Sequence, residues 1–154
     1  MNAVTISRTT DISILVEWRM EVLHYVFSIP ENADTHELKQ QNLRYYEQHL
    51  ANDTHIACMA YVNDVAVGCG GICLYDEMPS PDNPLGHCAY LMNIYVRESF
   101  RKQGIGQLII RWLVKQAQKR GISKIYLETS YMAKHLYRSL GFEIMEDMMI
   151  WKQE

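Results

Sequence analysis

No run of apolar residues in this sequence approaches the roughly 18–20 that a membrane-spanning helix needs. The first residues, MNAVTISRTTD, contain no signal-like apolar core. These absences remove a membrane partner and make the cytoplasm the expected location. An excess of basic charge is also missing. Fifteen Lys and Arg stand against 18 Asp and Glu, a formal net charge of −3, so no nucleic-acid partner is expected. Cysteine is scarce: Cys58, Cys69, Cys73 and Cys88 form no CxxC pair. Their apolar surroundings predict reduced, buried small hydrophobes, and their spacing with His87 matches no common zinc pattern. The six histidines (24, 36, 49, 55, 87 and 135) lack the spacing of a metal site or a nucleophile triad. No metal is expected.

What is present suits one folded domain over residues 1–154. Hydrophobic residues make up 48% and charged residues 21%, enough to build a core. Ala3–Arg8 alternates weakly, as an edge strand does. Thr9, Thr10 and Asp11 offer an N-cap, and the apolar spacing that follows predicts an amphipathic helix over 11–28, ended by Pro30. A second helix with a sparser apolar pattern is expected from Asp34 or Thr35 to about Leu50.

His55–Val62 and Val65–Tyr75 read as strands joined at Asn63-Asp64, a hairpin turn pair. Glycines 68, 70 and 71 within the second strand predict a bulge or a close backbone approach. Glu77–Gly86 carries three of the four prolines and reads as a loop, either a plain connection or a lid. A strand over Ala89–Val96, a helix over about 104–120 and a strand over Ser123–Thr129 come next. This strand–helix–strand unit implies parallel pairing. A short helix over Tyr131–Leu140 and a final β segment over Phe142–Trp151 complete an α+β chain with a mixed sheet.

The turn between Val96 and the helix reads RKQGIG (101–106). A glycine-bearing turn there aims backbone N–H groups at one point, at the positive end of a helix dipole, and so suits a phosphate or another anion. No GK[ST] follows, which excludes a P-loop. The third glycine of a dinucleotide fingerprint is also missing. Alone, the turn leaves open a plain helix cap.

A second stretch narrows this. Arg101, Gly104 and Gly106 fit R/Q-x-x-G-x-G/A. Ala133, Leu136, Tyr137, Gly141 and Phe142, within MAKHLYRSLGF, fit A-x-x-LY-x-x-x-GF. In this order and spacing the two resemble the signatures of the GNAT-type N-acetyltransferase superfamily, and the likeness covers nearly the whole chain. It implies a GNAT-like fold whose mixed central sheet has two splayed parallel strands flanked by helices. It also implies acetyl-CoA as acyl donor, a direct-attack acetyl transfer to a primary amine, and a homodimer.

Carried over residue by residue, the resemblance implies that the pantetheine arm pairs with Ile94, Tyr95 and Val96. The pyrophosphate would meet the backbone of Lys102, Gln103, Gly104, Ile105, Gly106 and Gln107, with charge added by Arg101 and Lys102. Tyr137 matches the family's tyrosine acid; the alternative is a core aromatic. A glutamate on the strand before the phosphate turn is frequent in the family. This chain has Tyr90, Met92 and Asn93 there instead. Glu128 is the replacement base, because IYLETS resembles the W-L-E segment of ribosomal-protein N-terminal acetyltransferases. A water held by Asn93 or Tyr90, or an acceptor that arrives neutral, are the alternatives.

The acceptor is expected to be a small molecule such as a polyamine, an amino-acid derivative or an aminoglycoside. A protein N-terminus or lysine is the second reading. A non-catalytic acyl-CoA-binding regulatory module is the third.

Overall fold

Asn63 and Asp64 both take left-handed φ angles, 49° and 63°. Short polar side chains tolerate that region, and two such residues in succession make the turn whose twist matches a hairpin. The turn joins β2 (His55–Val62) to β3 (Val65–Asp76), which pair antiparallel. The computed structural model describes residues 3–154. Around the hairpin stand β1 (Val4–Arg8), α1 (Ile12–Val26), α2 (His36–Ala51), β4 (His87–Val96), α3 (Ile105–Lys119), β5 (Lys124–Leu127) and α4 (Lys134–Ser139). The sheet order is β1-β2-β3-β4-β5, antiparallel throughout except for the parallel β4–β5 pair. This is the expected α+β architecture.

Helix α1 starts where local chemistry dictates. The Asp11 carboxylate accepts the Ile14 N–H at 3.3 Å and caps α1. On α2 only Tyr46 is buried, as its sparse apolar pattern predicts. On α3 the buried stripe is Ile105, Ile109, Ile110, Leu113 and Ala117. That stripe packs on one face of the sheet against Ile56, Cys58, Ala60, Ile72 and Leu91. The opposite face is covered by α1 and α2 through Leu15, Val16, Trp18, Val22 and Tyr46.

The glycine cluster in β3 is a close approach. A Cβ on Gly70 would lie 2.7 Å from Ile109 and 2.9 Å from Leu113, so α3 rests directly on the strand. The β3–β4 register also shifts between Cys69 and Gly71. Cys58, Cys69 and Cys88 are buried and all four cysteines are free thiols. Burial pushes the Cys58 thiol up to about 12, which makes it an inert core residue.

One expectation is narrowed and one is overturned. The 77–86 loop is tied down. Buried Asn83 donates to Glu77 Oε1 at 3.1 Å and to the His87 carbonyl at 3.2 Å, and Glu77 pairs with Lys124 of β5 at 2.8 Å. It is a pinned connection, which disfavours the lid reading. The final β segment over Phe142–Trp151 is absent: among the described residues no strand follows β5. Met148, Met149, Ile150 and Trp151 are exposed there. Apolar composition names no partner. The edge of β5 is only four residues long, and Glu146-Asp147 interrupts the apolar run.

Candidate active site

Strands β4 and β5 pair only over Cys88–Leu91 and Lys124–Leu127. Beyond that point β4 continues to Val96 while β5 has ended, so β4 keeps β3 on one side and has no strand on the other. An unpaired strand edge at the middle of a sheet is a row of N–H and C=O groups in need of a partner. The parting coincides with a backbone irregularity: Asn93 has φ 60°. Ile94 and Val96 send their side chains to the α3 core. Tyr95 points the other way, its ring 6.3 Å from Trp18 and 5.5 Å from Tyr25. The strand is thus anchored on both faces while its free edge stays open.

The free edge leads into the 101–106 turn. Lys102 and Gly104 take φ 62° and 79°, and Gly104 is the N-cap of α3 with no side-chain cap bond. The first turn of α3 carries no acidic residue. A Cβ on Gly104 would meet nothing within 4 Å, and one on Gly106 only Val96 at 4.0 Å. These glycines face open space at the positive end of a fifteen-residue helix. The residues therefore fit a pyrophosphate, which a side chain at 104 or 106 would displace. Ile105 is buried in the core, so only its backbone is available. Lys102 and Gln103 are exposed, and Gln107 and Gly106 are half-buried. The Arg101 guanidinium is not free. Nε donates to the Val96 carbonyl at 2.7 Å, Nη1 to the Tyr25 hydroxyl at 2.6 Å, and the group lies 4.5 Å from the Tyr25 ring centre. It braces the turn against α1.

Tyr137 and Glu128 line one cleft of about 740 Å³, with Leu127, Val114 and Phe142. Tyr137 packs edge-on against Phe142 and joins the α3-side core with Ile125 and Leu127. Burial raises its phenol above the usual tyrosine range. Glu128 is exposed and follows the alternation of Lys124 and Tyr126. There it neighbours Tyr90, whose phenol is pushed up to about 12 by burial first and then by the Glu128 charge. Tyr90 stacks on Tyr126 at 5.0 Å, and the Tyr126 hydroxyl is hydrogen-bonded to that of Tyr75. Glu128 and Tyr137 thus meet in one cleft at the end of β5. His135, two residues before Tyr137, is exposed.

A second group of polar side chains lies between α1, α2 and the same stretch of β4. Arg19 Nε donates to Asn42 Oδ1 and Nη1 to Asn93 Oδ1, both at 3.0 Å. Beside them the Tyr45 hydroxyl donates to Cys73 Sγ at 2.9 Å and is bonded to His55 Nδ1 at 2.8 Å. Burial pushes His55 down to about 4 and holds it neutral. Sequence reasoning missed Arg19, Asn42 and Tyr45. A signal was present: Arg19 sits one turn from Leu15, Val22 and Leu23, a cation on the edge of an apolar stripe.

The family model described as Acetyltransferase (GNAT) family matches residues 16–142. The chain is 28% identical over 145 residues to a [ribosomal protein bS18]-alanine N-acetyltransferase of Salmonella typhimurium, covering 92% of this chain and 81% of that one. It is 28% identical over 89 residues to an L-ornithine N5-acetyltransferase of Arabidopsis thaliana, covering 56% of this chain and 38% of that protein. Among solved structures, a predicted acetyltransferase of Clostridium acetobutylicum determined with acetyl-CoA superposes with a TM-score of 0.85. It has 26% identity, over 97% of this chain and 96% of that one.

Proposed function

Because the chain belongs to the acetyltransferase (GNAT) family, we propose that it transfers an acetyl group from acetyl-CoA to a primary amine of a small molecule, by direct attack of the amine on the thioester. One observation carries this reading. The parting of β4 from β5 runs straight into a glycine-lined helix N-terminus, so an open strand edge and an anion cradle lie end to end. A long donor with an amide-bearing arm and a pyrophosphate suits that order. Acetyl-CoA, when bound, supplies the activated acyl group.

The chain's own residues do the rest. The backbone of Ile94, Tyr95 and Val96 takes the arm, and the N–H groups from Lys102 to Gln107 take the pyrophosphate. A backbone N–H at Ile94 would donate to the oxyanion. Tyr137, a phenol and so protonated at neutral pH, donates to the leaving thiolate; burial, which raises its phenol, keeps it in that form. Glu128, exposed beside Tyr90, is the base that takes the proton of the amine. Tyr90 stays protonated and donates a hydrogen bond at most.

A second reading, acetylation of a protein N-terminus, is supported by the likeness to the bS18-alanine enzyme. A homodimer is the assembly expected from the family. The test is thiol release from acetyl-CoA across a panel of small amines and of peptides. Faster release with small amines is expected, and faster release with peptides moves the conclusion to the second reading. Tight CoA binding without release from any acceptor sinks catalysis and leaves an acyl-CoA-binding module.

A further inference from the structure

Arg19 is a half-buried guanidinium whose bonds go only to neutral amides, Asn42 Oδ1 and Asn93 Oδ1. Arg97 by contrast grips Glu21, and Arg8 and Arg120 share Asp53, while Arg101, which also lacks a carboxylate, lies over the Tyr25 ring and donates to its hydroxyl. Among the described residues no carboxylate pairs with Arg19. A cation withdrawn from water without a counter-charge is costly unless something anionic visits it. Its side chain is held in place from α2 and β4, which fixes the planar fork before any ligand arrives. Such a pre-oriented guanidinium, with N–H groups still free, suits a carboxylate better than any other common anchor.

Its position is as telling as its charge. Asn93, which orients it, lies at the irregular point of β4 where the strands part, one residue before Ile94. Tyr45, Cys73 and His55 lie close enough to feel the charge, which places it between α2 and the sheet, as its bonds to Asn42 and Asn93 do. His55 is held neutral, Tyr45 is held protonated, and Glu21 is engaged by Arg97.

The geometry points to Arg19 as the anchor for a carboxylate on the acceptor, so that the acceptor is a small amine that also bears a carboxylate, an amino acid in the chemical sense. A polyamine or an aminoglycoside would place further positive charge against the guanidinium. This inference rests on the acetyl-transfer reading and narrows its acceptor class.

The test compares each amino acid with its decarboxylated amine: lysine with cadaverine, phenylalanine with phenethylamine. Both are assayed as acetyl-group acceptors with the wild-type chain, Arg19→Gln and Arg19→Lys. The carboxylate-bearing partner should be preferred by roughly tenfold or more in kcat/KM. Arg19→Gln should collapse that preference by raising KM for the amino acid, and Arg19→Lys should restore part of it. Equal use of both partners by the wild-type chain overturns the inference. So does a loss in Arg19→Gln that falls equally on both, the signature of a structural tie.

A parallel titration with N-acetyl-lysine and N-acetylcadaverine, followed by calorimetry, needs no turnover. Arg19-dependent binding of N-acetyl-lysine without acetyl transfer would sustain the carboxylate site and sink the catalytic reading. Absence of both would sink the two together.

Discussion

The Arg97 guanidinium holds the Glu21 carboxylate with hydrogen bonds of 2.8 and 3.1 Å and lies 4.1 Å above the Trp18 ring. This clamp ties the residue after β4 to the middle of α1, next to the strand edge proposed to hold the donor. Its two halves are unequal. The ion pair is more than one-third exposed on both sides, 40% and 35%, so its charge attraction is worth about 1 kcal/mol or less. The stacking on Trp18 belongs to Arg97 alone. Glu21→Gln should therefore lower stability by under about 1 kcal/mol, and Arg97→Ala by roughly 1–3 kcal/mol. Urea denaturation checks the order, and equal losses would deny the cation–π share. Arg97 also holds Glu21 below the usual carboxylate range, so the pair's small contribution is present at neutral pH and lost as pH falls through that lowered value.

Gly104 tests the anion cradle. Its φ of 79° costs a side chain about 1 kcal/mol, yet a Cβ there meets nothing in the protein. Gly104→Val should leave a folded chain that no longer binds CoA. Gly106→Val should do the same without the left-handed penalty. Circular dichroism verifies the fold and calorimetry the binding. Retained CoA affinity in both variants would remove the pyrophosphate from this turn.

Tyr137→Phe separates acid from core aromatic. The ring contact with Phe142 survives in the variant while the hydroxyl is lost. Turnover should drop roughly tenfold or more with CoA binding little changed. An unchanged rate leaves Tyr137 as packing only. Loss of stability would be unexpected, since the phenyl ring fills the same volume.

His55 gives the chain an acid-sensitive core. Its folded value of about 4 lies below the ordinary 6.5, with burial as the largest cause. The unfolded chain therefore binds a proton that the folded chain refuses. Stability is full above about pH 6.5, falls as pH drops toward 4, and levels off below. The loss is on the order of 3 kcal/mol at most. His55→Gln should flatten this window in denaturant midpoints taken from pH 7.5 to 4.5. A midpoint in the wild-type chain that does not move over that range would show that His55 is charged in the fold.

Periodicity made most of the fold legible. The α3 stripe, the Asn63-Asp64 turn and the close-packed glycines of β3 each follow from local physics and agree with the structure. The glycine-bearing turn at the start of α3 was equally legible, because such a turn needs glycines at fixed offsets from a helix start. Phe142–Trp151 failed as a strand because pairing is a property of two segments, and alternation in one of them cannot supply the other. Arg19 was invisible for a related reason. Its meaning comes from Asn42 and Asn93, 23 and 74 positions away, which no local window brings together. Arg101 kept its place in the motif but has its charge engaged by Val96 and Tyr25.

The short seam between β4 and β5 has a mechanical meaning. β3 grips β4 along nearly its whole length, whereas β5 is held on one edge only, over Lys124–Leu127. In a hierarchy of local openings, β5 is expected to part from the sheet more cheaply than the doubly paired β3 and β4. A ligand lodged in the fork would act as a wedge that is also a rivet: it keeps the strands apart while bonding to what they leave bare. Part of its binding free energy would then go into stiffening β5, and its departure would loosen the strand again.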